Sequence, residues 1–66
     1  MQQVGIVGVG LLGTAMAGRL LRDGFDVVGF DLDQQRREQL SELGGRPVES
    51  AREVAHSCKR IVLSLP

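Results

Sequence analysis

The sequence predicts an α/β domain built on a parallel sheet. Three observations carry this. Short apolar runs rich in β-branched residues alternate with helical segments along the whole chain, the pattern of consecutive βαβ units. The first run leads directly into Gly8-x-Gly10-x-x-Gly13, and a helical pattern follows at once. Asp31 closes the second run, 18 positions after Gly13.

Residues 4–7 are uncharged, β-branched and too few for a helix, so they form the first strand. Residues 11–22 carry Leu12, Ala15, Met16, Leu20 and Leu21 at helical spacing. These residues are expected on the inner face, with Met16 filling a gap in the core. Asp23-Gly24 ends that helix, Gly24 serving as a left-handed cap. Asp-Val-Val-Gly-Phe, residues 26–30, is the second strand. Asp33 caps a polar helix over residues 34–43, whose apolar contacts come from Leu40 and Leu43. Gly44-Gly45 stops it. Arg46-Pro47-Val48 is a short third strand, and its proline places it at an edge. Ser50-x-x-Glu53 is a capping box that opens a helix to about Ser57. Residues 60–65 form a largely apolar fourth strand stopped by Pro66. Right-handed crossovers then give the strand order 3-2-1-4, a partial doubly wound, Rossmann-like sheet.

A chain of 66 residues makes at most one small domain, and such a domain buries only roughly 60% of its unfolded surface. Cys58 is the single cysteine, so no disulfide forms within the chain, which fits a reducing cytoplasm. Met-Gln-Gln runs straight into the first strand, without a basic segment and long apolar run of a secretory signal. No apolar run approaches the length of a membrane span. Eight basic residues balance eight acidic ones, which argues against a nucleic-acid or membrane-surface role. Phe25 and Phe30 are the only aromatics, too few for a base-stacking platform.

The glycine turn carries the first chemistry. Gly8 permits a tight turn after the strand. Gly10 lets a phosphate approach the backbone. Gly13 lets the helix pack closely on the sheet. The open N–H groups of the first helical turn, around Leu11 and Leu12, then face an anion such as a dinucleotide pyrophosphate. Asp31 stands near the spacing expected for the carboxylate that accepts hydrogen bonds from the adenine ribose hydroxyls. It repels a 2′-phosphate, so NAD is expected in preference to NADP. Arg36 and Arg37 are expected on the solvated face of the second helix, Arg37 pairing with neighbours such as Glu38 or Ser41. They keep NADP open, since an arginine near this point accommodates a 2′-phosphate. Ser64, Leu65 and Pro66 sit at the carboxyl end of the fourth strand, where a ligand crevice lies in such sheets, and are further cofactor candidates. His56 and Cys58 lack a third or fourth ligand for a metal and lack the partners of a nucleophilic pair. They are expected to be a surface histidine and a small half-buried side chain.

Val4-Gly5-Ile6-Val7-Gly8-Val9-Gly10-Leu11-Leu12-Gly13-Thr14-Ala15-Met16-Ala17 is similar to the opening of the β-hydroxyacid dehydrogenases. That group contains 3-hydroxyisobutyrate dehydrogenase, tartronate semialdehyde reductase and 6-phosphogluconate dehydrogenase. The similarity continues through Gly24-Phe25-Asp26-Val27-Val28-Gly29-Phe30-Asp31, Leu43-Gly44-Gly45, Ser50, and Ile61-Val62-Leu63-Ser64-Leu65-Pro66. Leu12 replaces a methionine common in the group, and Gly18-Arg19 an asparagine-containing pair. The resemblance implies a bilobal enzyme that uses NAD or NADP to interconvert a β-hydroxy acid and its semialdehyde; a homo-oligomer acting on a small β-hydroxy acid is expected. It implies that the catalytic lysine lies beyond residue 66, so Lys59 is not that residue. The sequence stops at an apolar strand with no fifth strand to pair with it, so these residues are expected to be the N-terminal piece of a longer protein, or the ordered remnant of one. The fourth strand, apolar enough to be central, is expected to expose an unpaired edge when alone and to pair with another chain. Two rivals stand: an imine or pyrroline-carboxylate reductase sharing this domain, and a non-catalytic NAD-binding or assembly module.

Overall fold

The computed structural model describes residues 2–63; the expected cofactor contacts at Ser64, Leu65 and Pro66 lie outside the described residues. The elements run β1 (Gln3–Val7), α1 (Gly10–Arg22), β2 (Asp26–Phe30), α2 (Gln34–Leu43), β3 (Arg46–Pro47), α3 (Ala51–Ser57) and β4 (Arg60–Leu63). The strands are parallel and ordered β3-β2-β1-β4. This is the predicted order, with the proline-bearing β3 at an edge. β3 is only two residues long, and the Val48 N–H extends it with a 2.9 Å bond to the Gly29 carbonyl. Among the described residues β4 pairs with β1 alone. It lies at the other edge, with Leu63 65% exposed.

Alternation along the strands divides the core into two layers. Ile6, Val9 and Val27 meet Ala17 of α1 and Leu40 of α2 on one face, with Leu20 and Leu21 packed alongside. Val28 points the other way and joins Val48, Val54 of α3 and Cys58, flanked by Val7 and Phe30. Gly29 lies beneath α2 because a Cβ there would stand 2.5 Å from Leu40 Cδ2.

The inner face of α1 differs from the sequence expectation. Gly13 and Ala17 are buried, Met16 is half-buried, and Leu12 and Ala15 are exposed. The stripe facing the sheet runs through Gly13, Ala17, Leu20 and Leu21, which share one face at 3.6 residues per turn. Gly13 sits against the Gly8 carbonyl and Ile6, so the inward stripe is built of small residues at these positions and the bulkier Leu12 faces outward.

The helix ends follow their sequence signals. After α1, the Phe25 N–H bonds the Leu20 carbonyl at 3.0 Å and the Gly24 N–H bonds the Leu21 carbonyl at 3.2 Å, a Schellman closure. The same pattern follows α2, from Gly45 to Leu40 and from Gly44 to Ser41, both at 3.0 Å. Asp33 caps α2 by accepting from the Gln35 N–H at 2.9 Å. Ser50 caps α3 by accepting from the Glu53 N–H at 3.2 Å. The return bond from the Glu53 carboxylate is not formed among the described residues. Replacing Ser50 with alanine is expected to cost about 1 kcal/mol, and with glycine only a few tenths, in denaturant unfolding. Equal losses in the two variants would contradict a capping role.

Candidate functional site

The register places Val7 opposite both Phe30 and Leu63, so β1, β2 and β4 reach the same edge of the sheet together. The chain leaves β1 there through Gly8, whose φ of 83° is left-handed. The Gly8 N–H donates to the Phe30 carbonyl at 2.9 Å and ties the turn to the end of β2. Gly10 opens α1 at φ 48°, and the space where its Cβ would stand is empty to 4 Å. Gly13 is closely enclosed: a Cβ would lie 3.1 Å from the Gly8 carbonyl oxygen and 3.5 Å from Ile6 Cγ2. The three glycines therefore turn, open and seal the start of α1.

Val9 occupies the N-cap position of α1 and supplies no side-chain acceptor. The first helical turn therefore presents N–H donors, with the positive end of the helix dipole behind them, to the open side of Gly10. The Thr14 hydroxyl donates to the Gly10 carbonyl and steadies this turn. Leu11 is 78% and Leu12 65% exposed beside it.

Asp31 meets the glycine turn directly. Its Oδ2 accepts from the Gly10 N–H at 3.2 Å, and its Oδ1 accepts from the Asp33 N–H at 2.8 Å. Each oxygen keeps a second lone pair for a further donor. The carboxylate is thus both a turn-former in the β2–α2 loop and a partner of the helix N-terminus.

Arg37 departs from its expected place. It is half-buried, and its guanidinium turns back to donate to the Asp31 backbone carbonyl instead of pairing with Glu38 or Ser41. Arg36, also half-buried, donates to Gln39 Oε1 at 3.2 Å. Both contacts escaped sequence reasoning, as did that of Thr14. The Thr14 bond is the usual return of a helical hydroxyl to the carbonyl four residues back, so its spacing was the one readable signal.

His56 is exposed in the last turn of α3. Cys58 is buried more deeply than expected, at 7% exposure. Burial pushes its thiol up from the ordinary value, partly offset by the Arg46 charge, which leaves it an unreactive core side chain. Among the described residues no group of His, Cys, Asp and Glu is placed to hold a metal ion. No described helix is long and apolar enough to cross a membrane. Among the described residues the site therefore offers open N–H groups at the start of α1 with a fixed carboxylate beside them.

An open parallel α/β sheet with a glycine turn at a helix N-terminus and a carboxylate closing the next strand defines a dinucleotide-binding domain. The chain belongs to the family of the NAD-binding domain of 6-phosphogluconate dehydrogenase, which it matches over residues 3–66. It is 35% identical to glyoxylate/succinic semialdehyde reductase 1 of Arabidopsis thaliana over 63 residues, covering 96% of this chain and 22% of that protein. The structure of Mycobacterium tuberculosis 3-hydroxyisobutyrate dehydrogenase with L-serine superposes on 100% of the chain with a TM-score of 0.94 at 26% identity. The chain covers 23% of that structure. An imine reductase from Bacillus cereus matches 98% of the chain with a TM-score of 0.90 at 28% identity, and the chain again covers 23% of it. The chain thus spans about a fifth of the length of the curated relatives it matches.

Proposed function

We propose that this domain binds NAD, in preference to NADP, within an oxidoreductase that interconverts a β-hydroxy acid and its semialdehyde or ketone. The observation that carries the reading is the junction of Asp31 with Gly10. It brings a carboxylate beside the N-terminus of α1, the spacing at which a dinucleotide presents ribose hydroxyls next to its pyrophosphate. The residues fit the cofactor: the space over Gly10 is open, and Asp31 retains unused acceptor capacity.

In this reading Gly8, Gly10 and Gly13 shape the turn. The N–H groups of Leu11 and Leu12 bind the pyrophosphate, and Asp31 accepts from the adenine ribose. Ser64, Leu65 and Pro66 are further candidates for contact with the cofactor in this reading. The bound nicotinamide supplies the hydride acceptor or donor. This chain's residues orient it, and the proton-transfer group and the substrate pocket belong to further sequence. The partners we propose are a small β-hydroxy acid and a second copy of the protein, with no role for nucleic acid or membrane. The location we propose is the cytoplasm, in keeping with the lone, buried Cys58.

The test is turnover by the full-length protein of a panel of β-hydroxy acids with NAD. Oxidation of at least one is expected. NAD binding without turnover would instead favour a sensor or assembly module. Reduction of cyclic imines with no activity on hydroxy acids would favour the imine reductase reading, which rests on a fold likeness of similar strength.

A further inference from the structure

Three elements fix Asp31 at once. Gly10 of α1 donates to Oδ2 at 3.2 Å, and Asp33 of the β2–α2 loop donates to Oδ1 at 2.8 Å. Arg37, one turn into α2, donates through Nη1 to the Asp31 backbone carbonyl. The first two bonds set the direction of the carboxylate, and the third holds the backbone from which it projects. Arg37 is half-buried, so its side chain gives up rotamer freedom to make this contact.

We propose that Arg37 is a positioning residue for the cofactor. It clamps the turn after β2 so that Asp31 stays at the mouth of the glycine turn before NAD arrives. Its cation serves the loop and not a cofactor 2′-phosphate. The inference rests on the NAD-binding reading above. A loop already held in its bound form loses less entropy on binding, and that difference appears as affinity. The guanidinium suits the role because one of its five donors reaches the carbonyl from the first turn of α2.

The test measures dissociation constants of the full-length protein for NADH, NADPH and AMP by fluorescence and calorimetry. Arg37→Ala is expected to weaken NADH and AMP alike, by roughly tenfold, the scale of one hydrogen bond from a charged donor. Arg37→Lys, which can still reach the carbonyl with one donor, is expected to stay within about threefold of the native affinity. Because Arg37 acts through Asp31, Arg37→Ala should cost little further in an Asp31→Ala background. A merely structural residue would add its full cost there. The inference is overturned if Arg37→Ala leaves NADH affinity unchanged, if the two losses add in full, or if NADPH is weakened more than NADH. A native protein that binds NADPH but not NADH overturns the Asp31 reading itself, and this is visible before any variant is made.

Discussion

Replacing Leu40 with alanine is expected to destabilise the protein by about 2–5 kcal/mol, a large share of the total for so small a domain. Leu40 is fully buried, and it is the residue that holds α2 on the sheet. Its Cδ2 lies over Gly29 and its Cδ1 over Gly45, so both glycines exist to admit it. Gly29→Ala should accordingly cost about 1–3 kcal/mol by overpacking, because the new methyl falls 2.5 Å from Leu40 Cδ2. The two costs should not add. In the Leu40→Ala background the Gly29 methyl enters vacated space, so the double variant should be more stable than the sum of the singles predicts. Denaturant unfolding of the four proteins measures this directly. Additive losses would mean that Leu40 does not sit against Gly29. The effect is expected to reach Asp31, since α2 carries Arg37 and the loop before it carries Asp33, two of the groups that hold it.

Replacing Asp31 with alanine is expected to weaken NAD binding by about 1–3 kcal/mol, the cost of leaving ribose hydroxyls without their acceptor. The same change leaves the Gly10 and Asp33 N–H groups without their acceptor, so the glycine turn and the β2–α2 loop should both loosen. Asp31→Asn separates the contributions. It keeps the shape and one acceptor oxygen but removes the negative charge. NADH affinity should fall less than with alanine, and the disadvantage of NADPH should shrink, because the repulsion of a 2′-phosphate is gone. Isothermal titration with both cofactors reads the two effects separately. An asparagine variant that discriminates against NADPH as strongly as the native protein would show that the Asp31 charge does not set the preference.

Much of the fold was readable because its signals are local. Strand lengths, the glycines ending α1 and α2, and the caps at Asp33 and Ser50 all depend on residues within a few positions. Gly8, Gly10 and Gly13 could be assigned separate tasks because each task is a property of glycine at a fixed offset from a strand end. The spacing from Gly13 marked Asp31 as the residue closing the second strand, but its bond to the Gly10 N–H was not read, because it depends on how the β2–α2 loop folds back. What could not be read depended on packing or on long side chains. The inward face of α1 was misjudged because helical spacing counted from the most apolar residues pointed to Leu12 and Ala15. Close approach to the sheet instead favoured the small pair Gly13 and Ala17. Arg37 was expected in solvent because its spacing matches a polar helix face. Its guanidinium reaches past that face to a carbonyl six residues back, and no residue pattern encodes that reach. Cys58 reads as small and indifferent in sequence, and only the packing of α3 buries it.

The most direct test of the account is the dissociation constants of the full-length native protein for NADH and NADPH, measured side by side. An Asp31 carboxylate fixed beside the Gly10 N–H predicts tighter binding of NADH. Equal or tighter binding of NADPH would contradict it.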